Sequence, residues 1–378
     1  MTMICRTVLA SAMAMSLSAP LQAQEPPAPI EAEIFAELPE AVGNVTFTAD
    51  DRVIFSHHPF FGHDVRVAEL NGDRRSYTPF PNAAWNTRRD GTDQYLDSVL
   101  GLRADENGVV WMLDMGQRTP LTPKLVGWDT RAGKLARIYY IPAPASLPES
   151  QHNDFVVDLK NRKFYVADEG IGPGGDGTKA ALVVVDMDTG AARRLLQGHV
   201  STLPETVPIT VDGNVLTVPG KDGAPSPIRV GADGIAADKT FEWLYFAPLS
   251  GGSLYRVRIA DLNDESLPDA GLGERVERYA AKPNNGGLSI DDDGNLYLTE
   301  VEAHAVGVIP AGTRQYRRFA QNERLLWPDG VSYGPGGFMY VSAAQIAQAA
   351  IFNQGRALNR SPYFIFRFKP LAPGRVGH

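Results

Sequence analysis

Cysteine is nearly absent: the chain has one, Cys5, among its 378 residues. It stands ahead of a short apolar run at residues 8–17, where Arg6 is the neighbouring charge and small residues follow near Ala23. That is the pattern of a secretory leader cleaved at about residue 23. A cysteine destined for lipid would stand at the end of the run instead. The expected mature protein is periplasmic or secreted and has no disulfide, so burial and strand hydrogen bonds must hold it together.

Long apolar runs are missing too. The leader's run is too short to span a bilayer and is followed by acidic, Pro-rich sequence at residues 25–40, so no membrane partner is expected after cleavage. Basic stripes are also lacking: 36 Lys and Arg stand against 44 Asp and Glu, a net charge of −8. This disfavours nucleic acid as a partner and is consistent with a soluble monomer. There is no G-x-S-x-G elbow, no G-x-x-x-x-G-K and no G-x-G-x-x-G leading into a helix, which disfavours serine hydrolases, NTPases and dinucleotide enzymes. No four-turn amphipathic helix is legible; residues 343–350 are the best short candidate.

What the chain does have is a repeat. Six times a short apolar strand leads through a turn rich in Asp, Asn and Gly into a strand of aromatic and β-branched residues. The turn residues are Asp50, Asp105, Asp158, Asp238, Asp291 and Gly334, at intervals of 55, 53, 80, 53 and 43 residues. Each interval leaves room for two more strands, which predicts an all-β, six-bladed β-propeller. The long interval predicts an insertion at residues 204–227, as a loop or extra hairpin. The organisation expected is a leader (1–23), a Pro-rich segment (24–42), one propeller domain (43–370) and a tail (371–378). Ring closure should pair the segment after Glu31 with the strand at residues 363–368, because an unclosed blade would expose a long apolar edge.

Several stretches resemble the major royal jelly protein/yellow family. They are Trp111-Met-Leu-Asp-Met-Gly116, Pro123-Lys-Leu-Val-Gly-Trp-Asp129, Tyr139-Tyr-Ile-Pro142, Asp154-Phe-Val-Val-Asp158, Tyr165-Val-Ala-Asp168, Leu244-Tyr-Phe-Ala-Pro-Leu249, Ala305-Val-Gly307 and Leu326-Trp-Pro-Asp329. The resemblance implies a secreted six-bladed propeller; insect members are linked to pigmentation, nutrition and binding of small amines. The absence of mature cysteines departs from those members. More distantly, Trp327-Pro-Asp-Gly330 and Ala232-Asp-Gly234 resemble gluconolactonase-type propellers, which hydrolyse lactones with a divalent metal at the mouth. That pattern wants a Glu in the first blade, where residues 42–45 supply none and Asn44 is the nearest substitute.

In a propeller hairpin the first strand begins, and the second ends, on the face opposite the tight turn. Polar side chains at those places converge on one mouth. Asn153, Asp233 and Asp329 each lie five residues before their turn residue, and Asn285 lies six before, one out of register. Such oxygen donors suit Ca²⁺ or Mg²⁺ and make Asn153, Asp233 and Asp329 candidate metal ligands. Asp154 is the candidate base beside them. The same residues also make Asx turns with no functional role. His57, His58 and His63 with Asp64 follow the first hairpin; adjacent histidines point to opposite sides of an extended chain, which favours pocket-lining or solvated roles over a shared ion. His57, His58, Asn285 and Asp233 are the candidate ligand-binding residues. Asp114, Asp168, Glu169 and Glu300 end second strands on this face, as strand caps or partners of Arg88, Arg89 or Arg118. Three functions remain open: binding of a small organic ligand, metal-dependent hydrolysis of lactone-like substrates, and a protein-interaction scaffold.

Overall fold

The computed structural model describes residues 27–220 and 223–378. The predicted leader lies outside the described residues. Six antiparallel sheets form a six-bladed propeller, with innermost strands Val42–Phe47, Val99–Ala104, His152–Asp158, Ala232–Ala237, Asn285–Ile290 and Pro328–Gly334. Aspartates at the hairpin turns explain why the repeat is visible in sequence. Asp105 accepts the N–H groups of Asn107 and Val109 and the indole N–H of Trp111, and Asp291 accepts those of Asp293 and Asn295. Each carboxylate thereby satisfies turn donors that would otherwise be left unpaired.

Between blades, faces of aromatic and branched residues pack into separate cores. One joins Phe55, Tyr340 and Ile365 across blades 1 and 6; another joins Tyr165, Ile235 and Phe246 across blades 3 and 4. The ring closes as the sequence predicts. Glu33–Leu38 pairs antiparallel with Tyr363–Phe368 and becomes the outermost strand of blade 6. Ile30–Glu31 adds a parallel strand to Arg317–Gln321 of blade 5. Thus much of the segment expected to precede the propeller belongs to it.

The segment expected to be a tail is also built in. Ala104 and the Thr46 hydroxyl donate to the Gly377 carbonyl, and Tyr333 and the Ser289 hydroxyl donate to that of His378. These partners lie on four innermost strands, so residues 377–378 cross the axis at the face opposite the mouth.

The insertion forms two hairpins, Thr210–Val211 with Asn214–Val215 and Thr217–Pro219 with Pro225–Pro227. Instead of a helix at 343–350, two single 3₁₀ turns stand at Ile346–Gln348 and Ala350–Phe352. Two short α-helices, Ile259–Asn263 and Asp269–Gly273, lie between strands of blade 4. Five residues each are too few for the periodicity by which a helix is recognised.

Candidate functional site

Every innermost strand breaks register near its start, between Val42 and Val45, Val99 and Leu102, His152 and Phe155, Ala232 and Ile235, Asn285 and Leu288, and Pro328 and Val331. Two residues per blade therefore turn toward the axis instead of alternating between cores. The first of each pair is Gly43, Leu100, Asn153, Asp233, Gly286 or Asp329. Three positions of that ring, in blades 3, 4 and 6, carry a polar head, and the structure places Asn153, Asp233 and Asp329 around one small chamber at the mouth.

The second residue of each pair is Asn44, Gly101, Asp154, Gly234, Gly287 or Gly330. A Cβ at Gly101 would stand 2.6 Å from the Asn153 carbonyl oxygen, and one at Gly287 only 2.5 Å from that of Asp329. Glycine is needed there because adjoining blades bring their backbones together at the axis.

The chamber floor is acidic. The Asn153 amide N–H donates to Asp233 at 2.6 Å, and Gln151 donates to Glu169 at 2.5 Å. Glu169 and Asp233 stand close enough that charge on one disfavours charge on the other. Burial, then the adjacent Asp233 charge, pushes Glu169 well above the usual carboxylate range, and burial pushes Asp233 up to about 7. Asp329 is raised for the same reasons, burial first and then Asp233 and Asp154. Asp329 Oδ2 and Asn153 Oδ1 are buried without hydrogen-bond partners. Among the described residues lining the chamber, none is Lys or Arg.

His58 completes the floor. Phe60 N–H donates to its Nδ1, so Nε2 carries the hydrogen, 3.6 Å from Asp329 Oδ2. Burial lowers His58 to about 3, leaving it neutral at physiological pH. The walls are apolar: Phe60, Ile171, Ile209, Ile228, Leu249 and Trp327 are among them, with Ile209 from the insertion and Ile228 just after it. Trp327 adopts a left-handed backbone with φ 50°, a conformation a bulky residue rarely takes, and is held by the Ala344 N–H bond to its carbonyl.

Other expected site residues lie elsewhere. His57 turns away from the mouth: its Nδ1 bonds the Val65 carbonyl at 2.9 Å and its Nε2 lies 3.4 Å from Glu40, which also accepts the Tyr77 hydroxyl. His63 meets the same Glu40 carboxylate at 3.7 Å. Asp154 sits below the chamber, in a second layer with Asn44 around a cavity of about 10 Å³. Both its oxygens are engaged, one by Arg103 at 2.5 Å and one by the Phe155 N–H at 2.9 Å. Asn285 is fully buried and does not line the chamber; its amide N–H donates to the Gly286 carbonyl at 2.8 Å, while its Oδ1 has no partner.

The acids at strand ends take partners other than Arg88, Arg89 or Arg118. Asp114 pairs with Lys124 at 2.9 Å, Asp168 with Arg194 at 2.6 Å and Glu300 with Arg318 at 2.8 Å. Glu169 is the exception and belongs to the floor. Among the described residues no three His, Cys, Asp or Glu side chains are grouped to hold a metal ion. Two carboxylates with an amide oxygen, Asp233, Asp329 and Asn153, remain as hard oxygen donors of the kind Ca²⁺ or Mg²⁺ takes.

Comparison with solved structures returns propellers over nearly the full length. A luciferin-regenerating enzyme aligns with a TM-score of 0.55 at 11% identity, covering 92% of this chain and 97% of that one. A putative gluconolactonase aligns at 0.55 and 14% identity, covering 92% and 95%. A gluconolactonase from Xanthomonas campestris aligns at 0.52 and 12% identity, covering 93% and 99%. At such identities the likeness shows the fold alone. No curated protein matches the sequence. Residues 97–342, well over half of the chain and including the floor residues of blades 3, 4 and 6, match the family model described as major royal jelly protein; the chain belongs to that family.

Proposed function

We propose that this propeller binds a small organic ligand at its mouth, and that the ligand brings a positive charge to the acid floor. The observation that carries this reading is the convergence of Glu169, Asp233 and Asp329 in one apolar-walled chamber whose described lining holds no cationic side chain. A buried carboxylate without a partner is costly, and a bound cation removes that cost while the apolar wall supplies contact area. The reading also takes the protein to be exported and monomeric, which rests on the N-terminal sequence and composition.

A second reading has its own support. The unpartnered oxygens of Asn153 and Asp329, beside Asp233, fit a hard divalent cation, which when bound would polarise a substrate carbonyl as lactone hydrolysis requires. In that case Asp154 is not free to act as a base while Arg103 and the Phe155 N–H occupy its oxygens.

A thermal-shift panel of organic cations, neutral and anionic analogues, and CaCl₂ separates these. Organic cations should stabilise the protein, by about 2.7 kcal/mol at a hundredfold excess over Kd, and Asp329→Asn should abolish the shift. Stabilisation by CaCl₂ alone would favour the hydrolase; equal shifts with neutral and anionic analogues would overturn the first reading.

A further inference from the structure

Away from the chamber, a serine, a histidine and an aspartate stand in line where blade 2 passes into blade 3. His152 opens the innermost strand His152–Asp158, and the ladder sets it opposite Asp168, the last residue of the neighbouring strand Lys163–Asp168. Its Nε2 lies 3.0 Å from Ser146 Oγ, and its Nδ1 lies 3.9 Å from Asp168 Oδ2. Ser146 belongs to the loop that enters blade 3, in a turn closed by the Ala145 and Ser146 N–H groups donating to the Pro142 carbonyl. The His152 and Asp168 side chains are fully buried, whereas Ser146 is partly exposed and lines a cavity of about 400 Å³. Ligand pockets run from about 300 to 1,000 Å³, so a small molecule fits beside the hydroxyl.

The carboxylate decides which imidazole nitrogen carries the hydrogen. Nδ1 is buried without a hydrogen-bond partner and faces Asp168 Oδ2, which attracts an N–H and repels a lone pair. Asp168 is ionised: burial raises it, but the adjoining His152 and Arg194 charges hold it below its ordinary value, and Arg194 donates to the same oxygen at 2.6 Å. Nδ1 therefore keeps the hydrogen, and Nε2 presents its lone pair to the Ser146 hydroxyl. The 3.9 Å separation is longer than a hydrogen bond, as catalytic contacts often are before substrate binds. Arg118 lines the same cavity, its guanidinium donating to the His63 and Pro59 carbonyls, and so places a positive charge in the wall that favours a developing oxyanion. The chain has no G-x-S-x-G elbow, but a nucleophile and its base are recognised by mutual geometry and not by sequence position.

We propose that Ser146 is a nucleophile toward small carboxylic esters that enter this cavity, with His152 as its base and Asp168 as the residue that orients the base. Ser146 Oγ bonds to the ester carbonyl carbon while its proton passes to His152 Nε2. The bond from that carbon to the alkoxy oxygen breaks, and the alcohol departs with the proton. Water then attacks the acyl-serine by the same route, which releases the acid and restores the hydroxyl. The site is independent of the reading of the mouth.

Phenylmethylsulfonyl fluoride treatment with peptide mass mapping, together with turnover of p-nitrophenyl acetate, tests this. One sulfonyl group should be found, on Ser146. Ser146→Ala should take up none and turn over the ester at least about a hundredfold more slowly, with an unchanged Tm because only a loop hydroxyl is removed. In the parent protein the rate of sulfonylation should fall in acid. Its midpoint should lie below the usual histidine value of about 6.5, because burial and Arg194 outweigh Asp168, the other charge facing His152. Absence of sulfonylation at Ser146, ester turnover undiminished in Ser146→Ala, or a sulfonylation rate that acid leaves unchanged would overturn the proposal.

Discussion

Asp329 shows how a residue serves a site at the expense of the fold. Its carboxyl and that of Glu169 keep their protons, through burial, at pH values where the unfolded chain has lost them. These two groups therefore bind more protons in the folded state than in the unfolded one above about pH 4, and their contribution to stability falls as pH rises from there toward neutrality. Asp329→Asn removes one of these titrations. It should match the parent protein at pH 4 and exceed it by about 1–3 kcal/mol at pH 8, as read by urea denaturation without ligand; a variant less stable at pH 8 would show that Asp329 has a partner in the fold. Asn153, Asp233 and Asp329 were legible in the sequence because each keeps the same offset from its hairpin turn. Glu169 was visible only as a strand end, since its role comes from Asp233 on the next blade. His57 and His58 could not be told apart by sequence until strand direction set one toward Glu40 and the other toward Asp329. Asp154 looked available as a base because nothing local reveals Arg103, fifty-one residues away.

Among the elements, the bulged innermost strand is the device that makes the site. It turns two consecutive residues to the axis, so that in blades 4 and 6 one carries a carboxyl while the other is a glycine against which the adjoining strand lies. Gly287→Ala puts a methyl group against the Asp329 carbonyl and has to displace the strand that bears that side chain. The expected outcome is a loss of about 1–3 kcal/mol in stability with at least tenfold weaker cation binding, whereas Gly312→Ala, which meets nothing within 4 Å, should change neither. Calorimetry and titration of both variants check this; unimpaired binding by Gly287→Ala would mean that the strand adjusts without moving Asp329. The hairpins themselves were legible because Asp turns and alternating apolar residues are local signals. The bulges were not, for a register shift depends on the pairing of two strands. The roof over the mouth appeared only as an overlong interval between repeats, and nothing in residues 204–227 foretold that Ile209 and Ile228 would wall the chamber.

At the scale of the whole molecule, ring closure turns separate blades into a pocket. The sequence signalled closure through Tyr363–Phe368, an apolar strand with no following hairpin to cover it, and Glu33–Leu38 covers it. The sealing of the far end by residues 377–378 was not legible, because its partners, Thr46, Ala104, Ser289 and Tyr333, come from four blades. With that end closed, blades 3, 4 and 6 deliver Glu169, Asp233 and Asp329 to a chamber entered from the mouth. A cation seated there lowers the proton affinity of all three, so binding must release a proton held by the floor. Titration of an organic cation such as methylamine at pH 7 in buffers of differing ionisation enthalpy measures this directly. The expected result is an apparent enthalpy that varies linearly with buffer ionisation enthalpy, with at least one proton released per ligand, and a weaker dependence in Glu169→Gln. Binding at the wild-type affinity with no proton released would contradict it.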